Sequence, residues 1–203
     1  MAQKKDGFGH EKPNEGETND WITPKWIIDA FDSKANLKED DSVMFFDLDP
    51  CISLTQPWLT ARNGYSIEQN GLLQEWNGMV WCNPPYGSNI GIWARMMAKH
   101  NNGIMLIFAR LETEAWFEDI FTTADGYLFL KGRIVFHHPD GSLPRNAKGG
   151  IASAGAPSAF VAWGSVARAA LIELCDEGMM DEFGVLRKSA FLDSAFYTGS
   201  RQW

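Results

Sequence analysis

The residues of this chain best suited to chemistry are Asn83, Pro84, Pro85 and Tyr86, followed by Gly87. They come directly after Val80-Trp81-Cys82, a short apolar run rich in strand formers, so an extended strand stops abruptly in a stiff loop. Each proline fixes φ and removes a backbone donor, which leaves carbonyl oxygens near Asn83 and Pro84 free to accept hydrogen bonds from a guest. The natural guest is an exocyclic amine on a flat group, with the Tyr86 ring as a stacking surface. An ordinary proline turn has the same local sequence. The chemical reading is favoured by placement, between a buried strand and a helical pattern.

Two carboxylates form the second candidate set. Val43 to Cys51 reads as a strand of bulky apolar residues that ends in Asp47-Leu48-Asp49-Pro50. Asp47 and Asp49 alternate, which predicts that they share one side of the extended chain, at the carboxyl end where open α/β sheets bind ligands. A strand-ending Asp-Pro turn is the bland alternative. Asn70, before Gly71, is either a turn residue or a partner for an amino group lying across the strand ends.

A third set is basic. From Lys131 to Lys148 the chain carries Lys131, Arg133, Arg145 and Lys148 against one acid, Asp140, with His137 and His138 able to add charge. The stretch runs on through Gly149-Gly150 to Gly155-Ala156-Pro157, and glycine-rich loops of this length in compact domains are usually functional or disordered. We read it as a nucleic-acid-facing loop. A metal site at His137-His138 is disfavoured because no third ligand stands at useful spacing.

The elements that must position these groups follow from periodicity. Residues up to about 20 are polar and aperiodic, which predicts a flexible tail, and residues 21–203 read as one domain. Trp21-Ile22-Thr23-Pro24 opens a helix with Thr23 as N-cap, Pro24 at its first position and Trp26, Ile27, Ala30 and Phe31 on the apolar face. Another helix is expected over Ile90 to His100, with Ile90, Trp93, Ala94, Met97 and Ala98 on one face, and a third from Val166 to about Glu177. Thr113 to Phe121 reads as helical too. Strands are expected at Met79–Cys82, Ile104–Ala109, Gly126–Leu130, Ile134–Phe136 and Ser158–Trp163, and Met179 to Trp203 as an edge element. This alternation predicts an α/β fold with one twisted, mainly parallel sheet.

Composition sets limits on these readings. The chain has 203 residues, 45% of them hydrophobic, enough for a proper core. Its net charge of −8 argues against a protein that grips nucleic acid over its whole surface, and confines any such contact to a local basic patch. No apolar run is long enough to span a bilayer, and the start lacks a signal-peptide core, so a cytoplasmic location is expected. Cys51, Cys82 and Cys175 are odd in number and widely spaced, which predicts reduced core thiols.

In order and spacing, Trp21-Ile22-Thr23-Pro24, Phe46-Asp47-Leu48-Asp49-Pro50-Cys51, Asn70-Gly71-Leu72, Asn83-Pro84-Pro85-Tyr86-Gly87, Gly132-Arg133-Ile134-Val135-Phe136 and Pro157-Ser158-Ala159-Phe160 resemble the phage and prophage DNA N6-adenine methyltransferases of the Dam-like family. The resemblance implies a class I, Rossmann-like methyltransferase fold with S-adenosylmethionine as donor, adenine in double-stranded DNA as acceptor, and a bacterial host. It makes Asn83-Pro84-Pro85-Tyr86 the catalytic motif and sets Asp49 at the acid of the cofactor motif. Thr23 and Pro24 would meet the methionine end of the cofactor, and Trp21, Asp47, Pro50 and Asn70 complete its site. Two departures stand out. Ile52-Ser53-Leu54-Thr55 holds no glycine where a glycine-rich turn usually follows the first strand, and Asn70 stands where an acid is often found. The segment 131–157 is left as the sizeable candidate for reading DNA. Other acceptors, namely cytosine N4, RNA or a protein glutamine, and a non-catalytic nucleic-acid-binding protein of the same fold, are the alternatives.

Overall fold

The structure, a computed structural model, describes residues 20–33, 44–87, 90–180, 186–187 and 189–193. Of the expected N-terminal tail only Asp20 falls within them, and Val43, Phe183, Val185 and Phe196 lie outside.

The strands among the described residues are β1 (Leu48–Asp49), β2 (Asn63–Gly64), β3 (Val80–Cys82), β4 (Gly103–Phe108), β5 (Gly126–Leu130), β6 (Ser158–Trp163), β7 (Met179–Met180), β8 (Leu186–Arg187) and β9 (Ser189–Asp193). Seven of them build one sheet in the order β2-β1-β3-β4-β6-β5-β9, and β7 and β8 form a separate antiparallel pair. β2, β1, β3 and β4 are mutually parallel, whereas β6 runs against both β4 and β5, and β9 against β5. The sheet is therefore mainly parallel in direction, with a reversed strand inserted between β4 and β5. As expected, the C-terminal region supplies an edge strand.

The sheet is covered on both faces, which is why its strands read as continuous apolar runs. Along β4 the side chains alternate between two cores. Ile104 and Leu106 join Phe31, Phe46, Trp81 and Phe160 beneath α1 (Lys25–Asp32) and α3 (Ser165–Glu177), while Met105 and Ile107 join Trp93, Met97, Trp116 and Trp163 beneath α2 (Ile90–His100). A π-helix, Ala115–Ile120, packs on the α2 side and buries Trp116 and Ile120.

Three expectations change. The helix α1 begins one residue later than predicted, with Pro24 at its N-cap (φ −55°, ψ 136°) and no side-chain cap. Thr23 lies one residue ahead of the N-cap, and its hydroxyl instead accepts from Trp81 Nε1 at 3.3 Å. The strand read over Val43–Cys51 contracts to Leu48–Asp49; ahead of it Phe46 and Asp47 keep single backbone hydrogen bonds to Arg62, Asn63 and Met79, and the rings of Phe45 and Phe46 pack on Phe31. Ile134–Phe136 is not a strand. Ile134 and Phe136 are buried in the core, and the pairing next to them is an isolated antiparallel bridge between Ile22 and His137.

Candidate active site

The parallel strands bring the carboxyl ends of β1, β3 and β4 to one edge, where the Cys51 and Cys82 sulfurs stand 3.8 Å apart and the loop after β3 reaches Phe108 through Tyr86. Asn83 is half-buried and its amide is fixed at both ends. Nδ2 donates to the Trp21 carbonyl at 2.9 Å, and Oδ1 accepts from the Tyr86 hydroxyl at 3.1 Å. The Tyr86 ring lies flat on Phe108, with centroids 4.1 Å apart and planes 13° apart, and meets Phe136 edge-on. Burial pushes the tyrosine hydroxyl's pKa well up, with the nearby Cys82 thiol adding to it, so this group stays a donor. The Pro84 carbonyl takes no backbone hydrogen bond among the described residues.

Two large cavities flank the loop and share Tyr86 and Gly87 in their walls. One, of about 690 Å³, lies over the β1 side and is lined by Pro50, Cys51, Ile52, Ser53, Leu54, Ser66, Ile67, Asn70, Leu72 and Trp93 together with Asp20. The other, of about 680 Å³, lies over the β4 side, between α2 and the π-helix, and is lined by Phe108, Arg110, Thr113, Glu114, Arg95 and Asp119 among others. A small cavity of about 40 Å³ touches Asp20, Trp21, Cys51, Asn83, Pro84, Pro85 and Tyr86. Both large volumes suit a cofactor-sized or nucleoside-sized guest.

The β1 cavity has a close backbone floor despite the absence of glycine in 52–55. A Cβ on Gly71 would stand 2.1 Å from the Pro50 carbonyl oxygen, and one on Gly64 would stand 2.4 Å from Ile52 Cγ2. Close approach is thus supplied by glycines from neighbouring segments rather than from the turn after β1. Asn70 adopts φ 53° and its side chain accepts from Leu72 N at 3.3 Å, which holds the turn that lines the cavity.

The two carboxylates are held by groups of the protein itself. Asp49 is 3% exposed and lines none of these three cavities. Its Oδ1 accepts from Cys51 N at 2.8 Å and its Oδ2 from the Thr60 hydroxyl. Burial raises its pKa to about 6, against the pull of those two hydrogen bonds. Asp47 accepts from Met79 N at 2.8 Å and from Arg62 Nη1 at 3.1 Å, so it ties neighbouring segments together. Thr23 and Pro24 are buried, and the Thr23 carbonyl takes the Trp58 indole at 2.9 Å. Of the expected cofactor set, Pro50, Asn70 and Trp21 border cavities, whereas Thr23, Pro24, Asp47 and Asp49 line none of the three.

Asp20 was missed. It is exposed, it lines both the β1 cavity and the small one, and it accepts from the Ser53 hydroxyl at 2.6 Å. Nothing in a polar, aperiodic tail singles it out; only its position next to Trp21 was a signal. Phe108 was read as interior strand, and its role under Tyr86 follows from ending at the same edge as β3.

In the basic segment Lys131, Arg133, Arg145 and Lys148 are exposed, and Asn146 accepts from Lys148 N at 2.9 Å and Gly150 N at 3.1 Å to fold its tip. His137 is different. It is 7% exposed, its Nδ1 donates to the Gly141 carbonyl at 2.9 Å, and its ring stands edge-on to Trp58. The neighbouring His138 ring lies 5.1 Å from Trp21. This segment therefore reaches the proline loop through residues 21 and 22.

Among the described residues no helix is long and apolar enough to cross a membrane. No curated protein and no solved structure matches the chain. A family model does: that of DNA N-6-adenine-methyltransferase (Dam) matches residues 11–170, a span that takes in the proline loop, both large cavities and the basic segment. The chain belongs to the DNA N-6-adenine-methyltransferase (Dam) family.

Proposed function

We propose that this chain transfers a methyl group from S-adenosylmethionine to N6 of an adenine rotated out of double-stranded DNA. The observation that carries the reading is that two cavities, one over β1 and one over β4, share Tyr86 and Gly87 in their walls, while Asn83 and Pro84 border a small cavity beside the same tyrosine. The β1 cavity fits the cofactor: apolar walls at Ile52, Ile67 and Leu72, polar groups at Ser66 and Asn70, and a carboxylate at the loop end. The β4 cavity fits the acceptor, and Tyr86 stands between them.

Bound over β1, S-adenosylmethionine supplies an electrophilic methyl group on a positively charged sulfur. The chain's own residues prepare the nucleophile. The N6 lone pair is delocalised into the adenine ring and attacks poorly. Asn83 Oδ1 and the Pro84 carbonyl accept its two N–H bonds, favour the pyramidal amine and stabilise the positive charge that develops there. Each such bond is worth about 1.5–3 kcal/mol, or about one to two decades of rate. Trp21 holds Asn83 Nδ2, which leaves Oδ1 on the side of Tyr86. Alignment of nitrogen, methyl and sulfur contributes more, about 7–11 kcal/mol, by removing a bimolecular encounter. Stacking on an aromatic ring of the Tyr86-Phe108 pair offsets part of the cost of unstacking the base, by about 1–3 kcal/mol.

Exposed Lys131, Arg133, Arg145 and Lys148 suit contact with phosphates, and they concentrate positive charge in an otherwise acidic chain. The test is transfer of labelled methyl from S-adenosylmethionine to unmethylated DNA, followed by digestion to nucleosides. N6-methyladenine as the labelled product is expected. N4-methylcytosine, or label in RNA or protein alone, overturns the choice of acceptor.

A further inference from the structure

We propose that Asp20 reads the positive charge on the sulfur of the cofactor and so makes the site prefer the methyl donor over the demethylated product. The inference rests on the assignment of the β1 cavity to S-adenosylmethionine.

Three observations support it. Among the described residues, Asp20 is the only carboxylate that lines that cavity. It also lines the cavity of about 40 Å³ that Asn83 and Pro84 share, so its side chain and the acceptor groups border one very small space. Methyl transfer sets the acceptor nitrogen about 3–3.5 Å from the methyl carbon, and the sulfur is one bond further on. A carboxylate on that space is therefore within short Coulomb range of the sulfur. Finally, the other candidate acids are spoken for: both oxygens of Asp49, and both of Asp47, accept hydrogen bonds within the protein. Asp20 accepts one, from Ser53 Oγ to Oδ2, which fixes the carboxylate and leaves Oδ1 without a hydrogen bond among the described residues.

Charge at this point has a kinetic meaning. Before transfer the sulfur is cationic and attracts the carboxylate. Afterwards the charge has moved to the acceptor nitrogen and then leaves as a proton, so the neutral thioether is held less firmly and departs. Ser53, which stands in the turn where glycines are usual, serves in this scheme to position Asp20.

The test is calorimetric titration of Asp20→Asn with S-adenosylmethionine and, separately, with S-adenosylhomocysteine, which differs by the methyl group and the sulfur charge. Asparagine keeps an oxygen for the Ser53 hydroxyl, so the geometry is retained and only the charge is lost. Affinity for the methylated cofactor should fall about tenfold, with affinity for the thioether changed by less than about twofold. Ser53→Ala should show a weaker form of the same selective loss. Raised ionic strength should narrow the preference of the parent chain for the methylated form and leave that of Asp20→Asn unchanged. Equal weakening toward both compounds overturns charge reading at sulfur and moves Asp20 to the ammonium they share. A variant that loosens neither removes Asp20 from the site while the cofactor assignment stands. A parent chain that binds neither compound removes the cofactor assignment, and this proposal with it.

Discussion

The Tyr86 hydroxyl sits 3.1 Å from Asn83 Oδ1, on the very atom that the proposed mechanism gives to the incoming amine. An amide oxygen has two lone pairs, so the tyrosine can keep the amide in register until substrate takes the second position or displaces it. Tyr86→Phe keeps the stack on Phe108 and removes the hydroxyl, and should change kcat/KM by less than about tenfold. Tyr86→Ala removes the ring, and should lower kcat/KM by about one to two decades. Steady-state methylation of the same DNA separates them, and equal losses in both variants would assign the hydroxyl itself to the chemistry.

Asn83→Ala removes an acceptor that matters most as charge develops. It should lower kcat by about one to two decades or more while cofactor affinity stays close to the parent's, because Asn83 does not line the β1 cavity. Single-turnover methylation with a parallel cofactor titration checks it. A variant as fast as the parent sinks the proposed mechanism.

Asp49 gives a pH signature. Its pKa in the folded chain is about 6, above its ordinary 3.8, so the folded state holds the proton more tightly than the unfolded one. Its protonated form therefore favours folding. That contribution is fully present below about pH 4 and is lost as pH rises through about 6, by about 3 kcal/mol in all. Asp49→Asn should flatten this part of the stability profile, read from urea midpoints across the same range. The same slope in the variant would show that Asp49 does not titrate as its burial implies. Cofactor affinity should be affected less by Asp49→Asn than by Asp20→Asn.

Arg145 and Lys148 stand exposed at the tip of the basic segment, and their joint replacement by alanine tests whether it meets DNA. Affinity should fall for all sequences alike, and the slope of log K against log salt should shrink by about 0.9 for each phosphate that is no longer neutralised. His137→Ala should instead lower stability, since its ring is buried against Trp58. A salt slope that stays the same in the double variant would place DNA elsewhere.

The parts of the fold that could be read in sequence are those whose neighbours are implied by their own pattern. α2 runs from Ile90 to His100 as its apolar spacing predicts, and β5 and β6 have the predicted bounds because each is an unbroken run closed by turn residues. β1 is shorter than its apolar run, although Phe46 and Asp47 ahead of it still exchange backbone hydrogen bonds with Arg62, Asn63 and Met79. At the site, the acceptors of the Asn-Pro-Pro-Tyr loop follow from local covalent facts. The surroundings of the acids do not. Whether a carboxylate faces a ligand depends on who else takes its oxygens, and Thr60, Met79 and Arg62 are remote choices that Asp47 and Asp49 do not announce. Asp20 was hidden for the converse reason: its neighbour Ser53 lies in a different element.

The bridge between Ile22 and His137 bears on the order of assembly on the ribosome. The carbonyl that orients the Asn83 amide belongs to Trp21, and the strand pair that fixes Trp21 is completed only by His137, much further along the chain. A nascent chain that has already emerged past the proline loop therefore still lacks the partner that aims its amide. Such distant pairings form late, after the loop-closure entropy has been met by other contacts. The orientation of the Asn83 amide thus depends on two stretches of backbone that lie far apart in sequence.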